Sequence, residues 1–250
     1  MSNVSVITPA YNSLPFIKEA YESLSAQKYS GWEWVVTDDC SDDGTWEFLQ
    51  KLAQTDSRVI VLRNDVNSGA AISRNKSIDR ASGEYLAFLD SDDLWLPNKL
   101  ELQLSYMKAN QIDFCFTAYE LIDEAGSLMG VVVDSSQADS LDYEDMLKKK
   151  ATLGCSTVML SRDRVGISRM PILRTGQDYA FWLLLLRSGI RAHPYTEVLT
   201  KYRIVNNSIS RNKFKKAKRQ WKIYRDVESL GLIKSAACFL FYAWRAVFRR

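Results

Sequence analysis

Three polar stretches stand directly behind apolar, β-branched runs in the first hundred residues. Thr8-Pro9-Ala10-Tyr11-Asn12 follows Val4 to Ile7, Asp38-Asp39-Cys40-Ser41 follows Trp32 to Thr37, and Asp90-Ser91-Asp92-Asp93 follows Tyr85 to Leu89. If those runs are neighbouring strands, the acidic residues converge on one edge of a sheet. Carboxylates so gathered repel one another unless a cation sits among them, and hard oxygen ligands select Mg2+ or Mn2+. Such an ion usually arrives with phosphates. Asp also favours helix N-caps, so Asp90 to Asp93 could simply cap the following helix. The buried-looking run in front of the cluster argues for the ligand edge instead. Asp42-Asp43-Gly44 has the composition of an ordinary turn and helix start. That leaves the preceding pair, chiefly Asp39, as the second candidate.

The elements that must position these residues alternate. Val4 to Thr8, Trp32 to Thr37, Val59 to Arg63 and Tyr85 to Leu89 read as strands. Pro15 to Gln27, Thr45 to Gln54, Ala70 to Ala81 and Asn98 to Asn110 read as helices. Strands too apolar for a one-sided sheet, alternating with helices, predict a mostly parallel central sheet covered on both faces, an α/β fold. Ligands of such sheets bind at the carboxyl ends of the strands. The second half is less regular: Phe114 to Tyr119, Gly130 to Val133, Thr157 to Leu160 and Val198 to Arg203 suggest strands, Tyr143 to Lys149 and Asp178 to Ser188 helices.

The 250 residues fit one large domain or a domain with an appendage. Cys40, Cys115, Cys155 and Cys238 lie far apart, with no Cys-x-x-Cys pair or zinc-like spacing, which fits a reducing compartment. The chain enters a strand-like run almost from Met1, so a secretory leader is not expected and a cytoplasmic location is. The net charge of +3 hides an asymmetry. From Arg211 onward twelve Lys/Arg face only Asp226 and Glu228, so that part carries +10 and the remainder −7. A domain over 1–210 and a basic tail over 211–250 follow. Phe214, Ala217, Trp221, Tyr224 and Val227 recur on one helical face, and Leu230, Leu232, Ile233, Phe239, Leu240, Phe241, Trp244 and Phe248 extend it. Ala236 to Trp244, the longest apolar run, is too short to span a bilayer. Basic residues beside a wide apolar face suit an anionic membrane surface. Packing on the tail's own domain or on a second subunit, as in a homo-oligomer, would use the same face.

Five stretches in order resemble the family-2 glycosyltransferases, whose nucleotide-binding fold is called GT-A. They are Val4 to Asn12, Val35 to Thr45, Asn67 to Asn75, Gly83 to Asp93 and Gly176 to Trp182. The resemblance implies an inverting transfer of sugar from a nucleotide-diphosphate donor, a UDP-sugar by preference, to a glycan acceptor. The chain is similar to bacterial members acting in surface-polysaccharide or O-antigen synthesis, which implies a polyprenyl-diphosphate-linked acceptor and a place on the inner leaflet of the plasma membrane. Carried over residue by residue, Pro9, Tyr11 and Asp39 border the base, and Arg74 lies near the donor. Asp90-Ser91-Asp92 matches the family's metal motif. Asp92 or the adjacent Asp93 holds Mn2+ or Mg2+. Asp178, in Gln177-Asp178, matches the catalytic base. One departure stands out: where many relatives carry a loop histidine, Tyr202-Arg203-Ile204-Val205-Asn206 has Val205, leaving water, phosphate oxygens or Asn206 to take its place. His193, the one histidine, reads as structural.

A nicotinamide enzyme would need Gly-x-Gly-x-x-Gly after the first strand, which is missing. A nucleotidyltransferase making the donor would need a basic, Gly-rich loop there, and Pro9 to Leu14 has neither Gly nor Lys/Arg. The remaining rival is a non-catalytic scaffold that binds a membrane or nucleic acid through the tail. Its apolar face is wider than nucleic-acid binding requires.

Overall fold

The computed structural model describes residues 3–166, 168–205 and 213–248. Four parallel strands form one half of the sheet: β1 (Val4–Ala10), β2 (Trp32–Asp38), β3 (Val59–Arg63) and β4 (Tyr85–Phe88), in the order β3-β2-β1-β4. β2 is buried along its whole length because helices cover both faces. Of its two buried carboxylates, Asp38 pairs with Arg63 at the strand end, and Glu33 is tolerated because the Ser5 hydroxyl and the Ser82 N–H and hydroxyl all donate to it. Burial works to raise the Glu33 pKa, yet these hydrogen bonds bring it below the ordinary value.

Helices return the chain between these strands: α1 (Leu14–Ser25), α2 (Thr45–Thr55), α3 (Ala70–Arg80) and, after β4, α4 (Lys99–Ala109). Pro15 opens α1, where its missing N–H costs nothing. The parallel half matches the expectation from the sequence; the other half is mixed. A two-residue strand β5 (Leu94–Trp95) precedes α4, followed by β6 (Phe114–Ile122) and β7 (Leu128–Val133). Then come α5 (Tyr143–Leu147), β8 (Val158–Ser161), the short α6 (Arg162–Val165), α7 (Gln177–Arg187) and β9 (His193–Arg203). β8 inserts antiparallel between β4 and β6, β9 runs parallel to β6, β5 is antiparallel to β9, and β7 pairs with β6.

Register sets the site. Ala10 lies opposite Asp38, and Ile7 opposite Phe88, so the carboxyl ends of β1, β2 and β4 finish at one edge. The chain order reverses around β1, which has β2 on one side and β4 on the other. That switch point is where open α/β sheets place ligands.

The expected boundary near residue 210 falls outside the described residues. Beyond it, α8 (Lys213–Lys222) runs through a π-helical turn at Ile223–Val227, and α9 (Leu232–Phe248) follows. A π turn carries an extra residue. Ile223 and Tyr224 both face inward and are buried, in the same core cluster as Phe181 and Trp182 of α7. Tyr224 donates to the Leu147 carbonyl, Tyr143 donates to Glu228, and Cys238 of α9 is buried on the helix's inner side. This corrects the expectation for the tail: the inner half of its apolar face, Tyr224 included, is core. Leu232, Ile233, Leu240, Phe241 and Trp244 remain exposed. No disulfide joins the four cysteines.

Candidate active site

Each strand end presents its polar residues through a strained or tightly bonded turn. After β1 the chain enters the left-handed region at Asn12 (φ 45°), after β2 at Cys40 (φ 65°). The two turns are stitched together: Asn12 N–H donates to Ser41, Asp42 N–H to the Asn12 side chain, and Leu14 N–H to Asp43. Asp42 and Asp43 thus belong to turn architecture, as expected. Tyr11 projects beside them, half exposed, next to the partly covered Pro9.

Asp38 is wholly buried, paired with Arg63 at 3.2 Å and accepting the Ser41 N–H. Asp39, 3% exposed, accepts from Asn64 Nδ2 (2.7 Å) and Ser68 N–H (2.9 Å) on one oxygen and from Gly69 N–H (2.7 Å) on the other. A carboxylate has about four acceptor positions, so one is left for a ligand N–H. Gly69 (φ 90°) opens α3 in a conformation closed to most side chains. Asp39 therefore fastens the Asn67-Ser68-Gly69 loop, and the loop fixes the start of α3.

α3 carries Arg74 into the sheet edge. Its guanidinium, almost wholly buried, meets Asp90 at 2.5 Å through Nη2, while Nε and Nη1 have no partner among the described residues. Burial disfavours its charge, but Asp90 overrides that and raises the Arg74 pKa, with help from Asp178. Unpaired buried donors are costly unless something arrives to accept from them. The Cys155 thiol, buried at the same place, feels Arg74, Asp90, Asp178 and Asp93 together; burial and the carboxylates push it up against the pull of Arg74. Asp178 stands in the first turn of α7, half-buried, and accepts no hydrogen bond from the described residues. Gly176 (φ 78°) turns the chain into that helix, and a Cβ there would sit 3.0 Å from Arg219 and Ile223. α7 is thereby wedged against the tail.

The Asp90 to Asp93 turn separates its carboxylates. Asp93 points inward, 1% exposed, and accepts from the Ser156 hydroxyl (2.5 Å) and the Arg203 N–H (2.8 Å). Burial, then Asp92 and Asp90, raise its pKa well above the carboxylate range. Each oxygen thus carries one hydrogen bond that ties the turn to β9 and to the chain before β8. Asp92 has no such engagement, and burial, reinforced by Asp90, lifts it to about 6. Arg203 locks the turn: its Nε donates to the Asp92 carbonyl (2.8 Å), Nη1 to the Glu124 carbonyl (2.9 Å), and Nη2 pairs with Glu19 of α1 (2.6 Å). Ser156 serves both sides, accepting from Asp90 N–H while donating to Asp93. Sequence reasoning missed Arg203, Ser156 and Asn64 as site-builders. For Arg203 the signal was present, a charged residue at the end of a predicted strand.

No group of three or more His, Cys, Asp or Glu among the described residues is arranged to hold an ion. The donor set still fits Mn2+ or Mg2+ of the kind held by one or two carboxylates with phosphates and water completing the shell. Asp92, with the Asp90 oxygen not taken by Arg74, would supply the protein's share. Val205 is described and half-buried; Asn206, one of the three expected substitutes with water and phosphate oxygens, lies outside the described residues. His193 opens β9 at the end of the strand opposite Arg203, away from this edge.

Residues 5–165 match the model of glycosyl transferase family 2. A putative teichuronic acid biosynthesis glycosyltransferase, TuaG, of Bacillus subtilis (strain 168) is 45% identical over 247 residues, 99% of this chain and 97% of that protein. The UDP-Glc:alpha-D-GlcNAc-diphosphoundecaprenol beta-1,3-glucosyltransferase WfgD of Escherichia coli is 39% identical over 224 residues, 89% of this chain and 85% of that one. Among solved structures, S. aureus TarS 1-349 in complex with UDP superposes with a TM-score of 0.73 at 21% identity, covering 98% of this chain and 71% of that one.

Proposed function

The chain belongs to glycosyl transferase family 2, and on that premise we propose that it transfers a hexose, with inversion, from a UDP-sugar to a polyprenyl-diphosphate-linked glycan. The setting is surface-polysaccharide or O-antigen assembly at the inner face of the plasma membrane. A lipid-diphosphate-linked acceptor is supported by the name of WfgD, and polysaccharide synthesis by that of TuaG. One observation carries the reading: Arg74 is buried at the switch point with two unpaired nitrogens, between the carboxylate turn and Asp178. A donor diphosphate offers the acceptors those nitrogens lack.

The roles follow from position. Tyr11 and Pro9 offer a platform for the base, and the open acceptor position of Asp39 suits a ring N–H of uracil. Arg74 binds the diphosphate. Asp92, aided by Asp90, is the metal-holding group, and a bound divalent ion supplies Lewis-acid stabilisation of charge on the departing diphosphate. Asp178, without a hydrogen-bond donor from the described residues to satisfy it, takes the proton of the attacking hydroxyl. Such general-base help is worth about 10² to 10⁴ in rate. A single base with direct attack turns an α-linked donor into a β-linked product.

Calorimetric titration of UDP tests the donor half. We expect binding that depends on Mn2+ or Mg2+ and is lost on chelation and in Asp92→Ala. Equal affinity with and without chelator would remove the metal from the account.

A further inference from the structure

Among the described residues, β7 and α9 each expose several large apolar side chains together. On α9 they include Phe241 and Trp244; on β7 they are Leu128, Met129, Val131 and Val132. β7 is the unusual case. A strand with one face on the core alternates apolar and polar residues, yet β7 exposes apolar side chains on both faces and pairs with β6 alone. Such a patch marks an interaction surface.

A basic segment joins the two. Lys148 Nζ lies 5.9 Å from the Phe241 ring centre, and Arg245 donates to the Lys149 carbonyl at 3.3 Å. Further along the same segment, Thr152 and Leu153 N–H groups donate to Asp134, the residue directly after the end of β7. Lys148, Lys149 and Lys150 therefore stand between α9 and β7. At its other end β7 leads back to the site, because the Glu124 carbonyl in the β6–β7 turn accepts from Arg203, which also holds Asp92. The strip runs from the carboxylate edge along β7, across three lysines, to α9.

We propose that this strip is the docking surface for an anionic lipid bilayer, with the β7 arm entering the leaflet beside the catalytic edge. The inference rests on the lipid-linked acceptor of the proposed function and says how that acceptor meets the site. Two features select a bilayer over a second copy of the chain. The region beyond residue 210 carries +10 against −7 for the rest, so two copies meeting through it repel. Aromatic side chains next to lysines match the headgroup boundary, where rings sit at the interface and ammonium groups meet anionic lipid. No helix among the described residues is long and apolar enough to cross the membrane, so attachment is by surface entry.

Co-sedimentation of the full chain with phosphatidylglycerol-containing and with phosphatidylcholine vesicles tests this. We expect tight binding to the anionic vesicles, weaker binding to the neutral ones, and partial release by salt. Leu128→Ser with Val131→Ser, and separately Phe241→Ser with Trp244→Ser, should each lower partitioning about tenfold or more, with calorimetric UDP binding unchanged. That unchanged binding keeps a failure here distinct from a failure of the donor site. Hydrogen exchange on the unsubstituted protein is the second measurement: amides of 128–133 and 240–245 should slow when anionic vesicles are added. The proposal is overturned if the chain ignores anionic vesicles, or if the β7 pair binds as well as the parent. It is equally overturned if sedimentation velocity shows the substitutions dissolving a dimer while vesicle binding persists.

Discussion

Asp92 and Asp93 are adjacent in sequence and opposite in circumstance, so conservative changes at the two should separate cleanly. In Asp93→Asn the amide oxygen can still accept the Arg203 N–H, and the amide nitrogen can donate to Ser156 Oγ, which accepts from Asp90 N–H as before. The reversal leaves the buried Ser156 hydroxyl proton without its acceptor, at about 1–3 kcal/mol, offset in part because it removes a carboxylate whose burial already favours the neutral form. Asp93→Ala is different. It leaves a buried N–H and a buried hydroxyl unmatched, at about 1–3 kcal/mol each, so destabilisation of about 2–5 kcal/mol is expected. Asp92→Asn touches no hydrogen bond to another side chain and, because burial and Asp90 raise the Asp92 pKa to about 6, should leave stability at neutral pH unchanged or higher. It should still lower transfer about a hundredfold or more, since the stabilisation a metal gives the leaving group amounts to several kcal/mol. Urea unfolding and initial rates of transfer on the three variants give the comparison. If Asp93→Asn abolishes transfer while Asp92→Asn leaves it intact, the assignment of the two carboxylates is inverted and the reasoning fails.

Two further outcomes follow from the same packing. Arg203→Ala removes a 1%-exposed guanidinium that spans α1, the β6–β7 turn and the Asp92 carbonyl. Two carbonyls lose their donors while Glu19, half exposed, recovers water, so a loss of about 2–5 kcal/mol in urea unfolding and weaker Mn2+-dependent UDP binding are expected; unchanged values for both would show that the turn holds itself. Lys99 is fully buried against Gln103 and the Trp95 ring, and burial lowers its pKa from 10.5 to about 7. Between those values the unfolded chain holds the proton that the folded chain has released, so stability rises with pH from about 7 to 10.5 and the penalty is fully imposed below 7. Lys99→Met should flatten that slope and stabilise the protein at pH 7 by about 1–2 kcal/mol, the orphaned Gln103 oxygen absorbing part of the gain; an unaltered slope in pH-dependent unfolding would contradict it.

The parallel half of the fold was legible because local signals agree there: apolar runs of strand length, Gly or Pro at helix starts, and acidic residues behind the runs. Pro9, Tyr11, Asp39, Arg74 and Asp90 gather at one edge for that reason. What was illegible depends on long-range pairing. The antiparallel insertion of β8 is set by contacts with β4 and β6, far away in sequence. β5 has two residues and exists only against β9. β9 starts at His193 rather than Val198 because irregular pairing with β6 carries it past Thr196 and Glu197. The different surroundings of Asp92 and Asp93 could not be read either, since they turn on the partners Ser156 and Arg203, which are supplied from β8's approach and the end of β9. In the tail the burial of Ile223 together with Tyr224 was not legible, because the π turn rotates both into the core.

The central claim is that Asp178 takes a proton during inverting transfer at the site built by Asp92 and Arg74. Its most direct test is transfer from a UDP-sugar to a sugar-diphosphate-lipid acceptor by Asp178→Asn, with product anomeric configuration read by NMR for the parent. We expect β-linked product from an α-linked donor, a fall of about a hundredfold or more in Asp178→Asn, and UDP affinity unchanged by calorimetry. Parental rates in Asp178→Asn, or an α-linked product, would contradict the account.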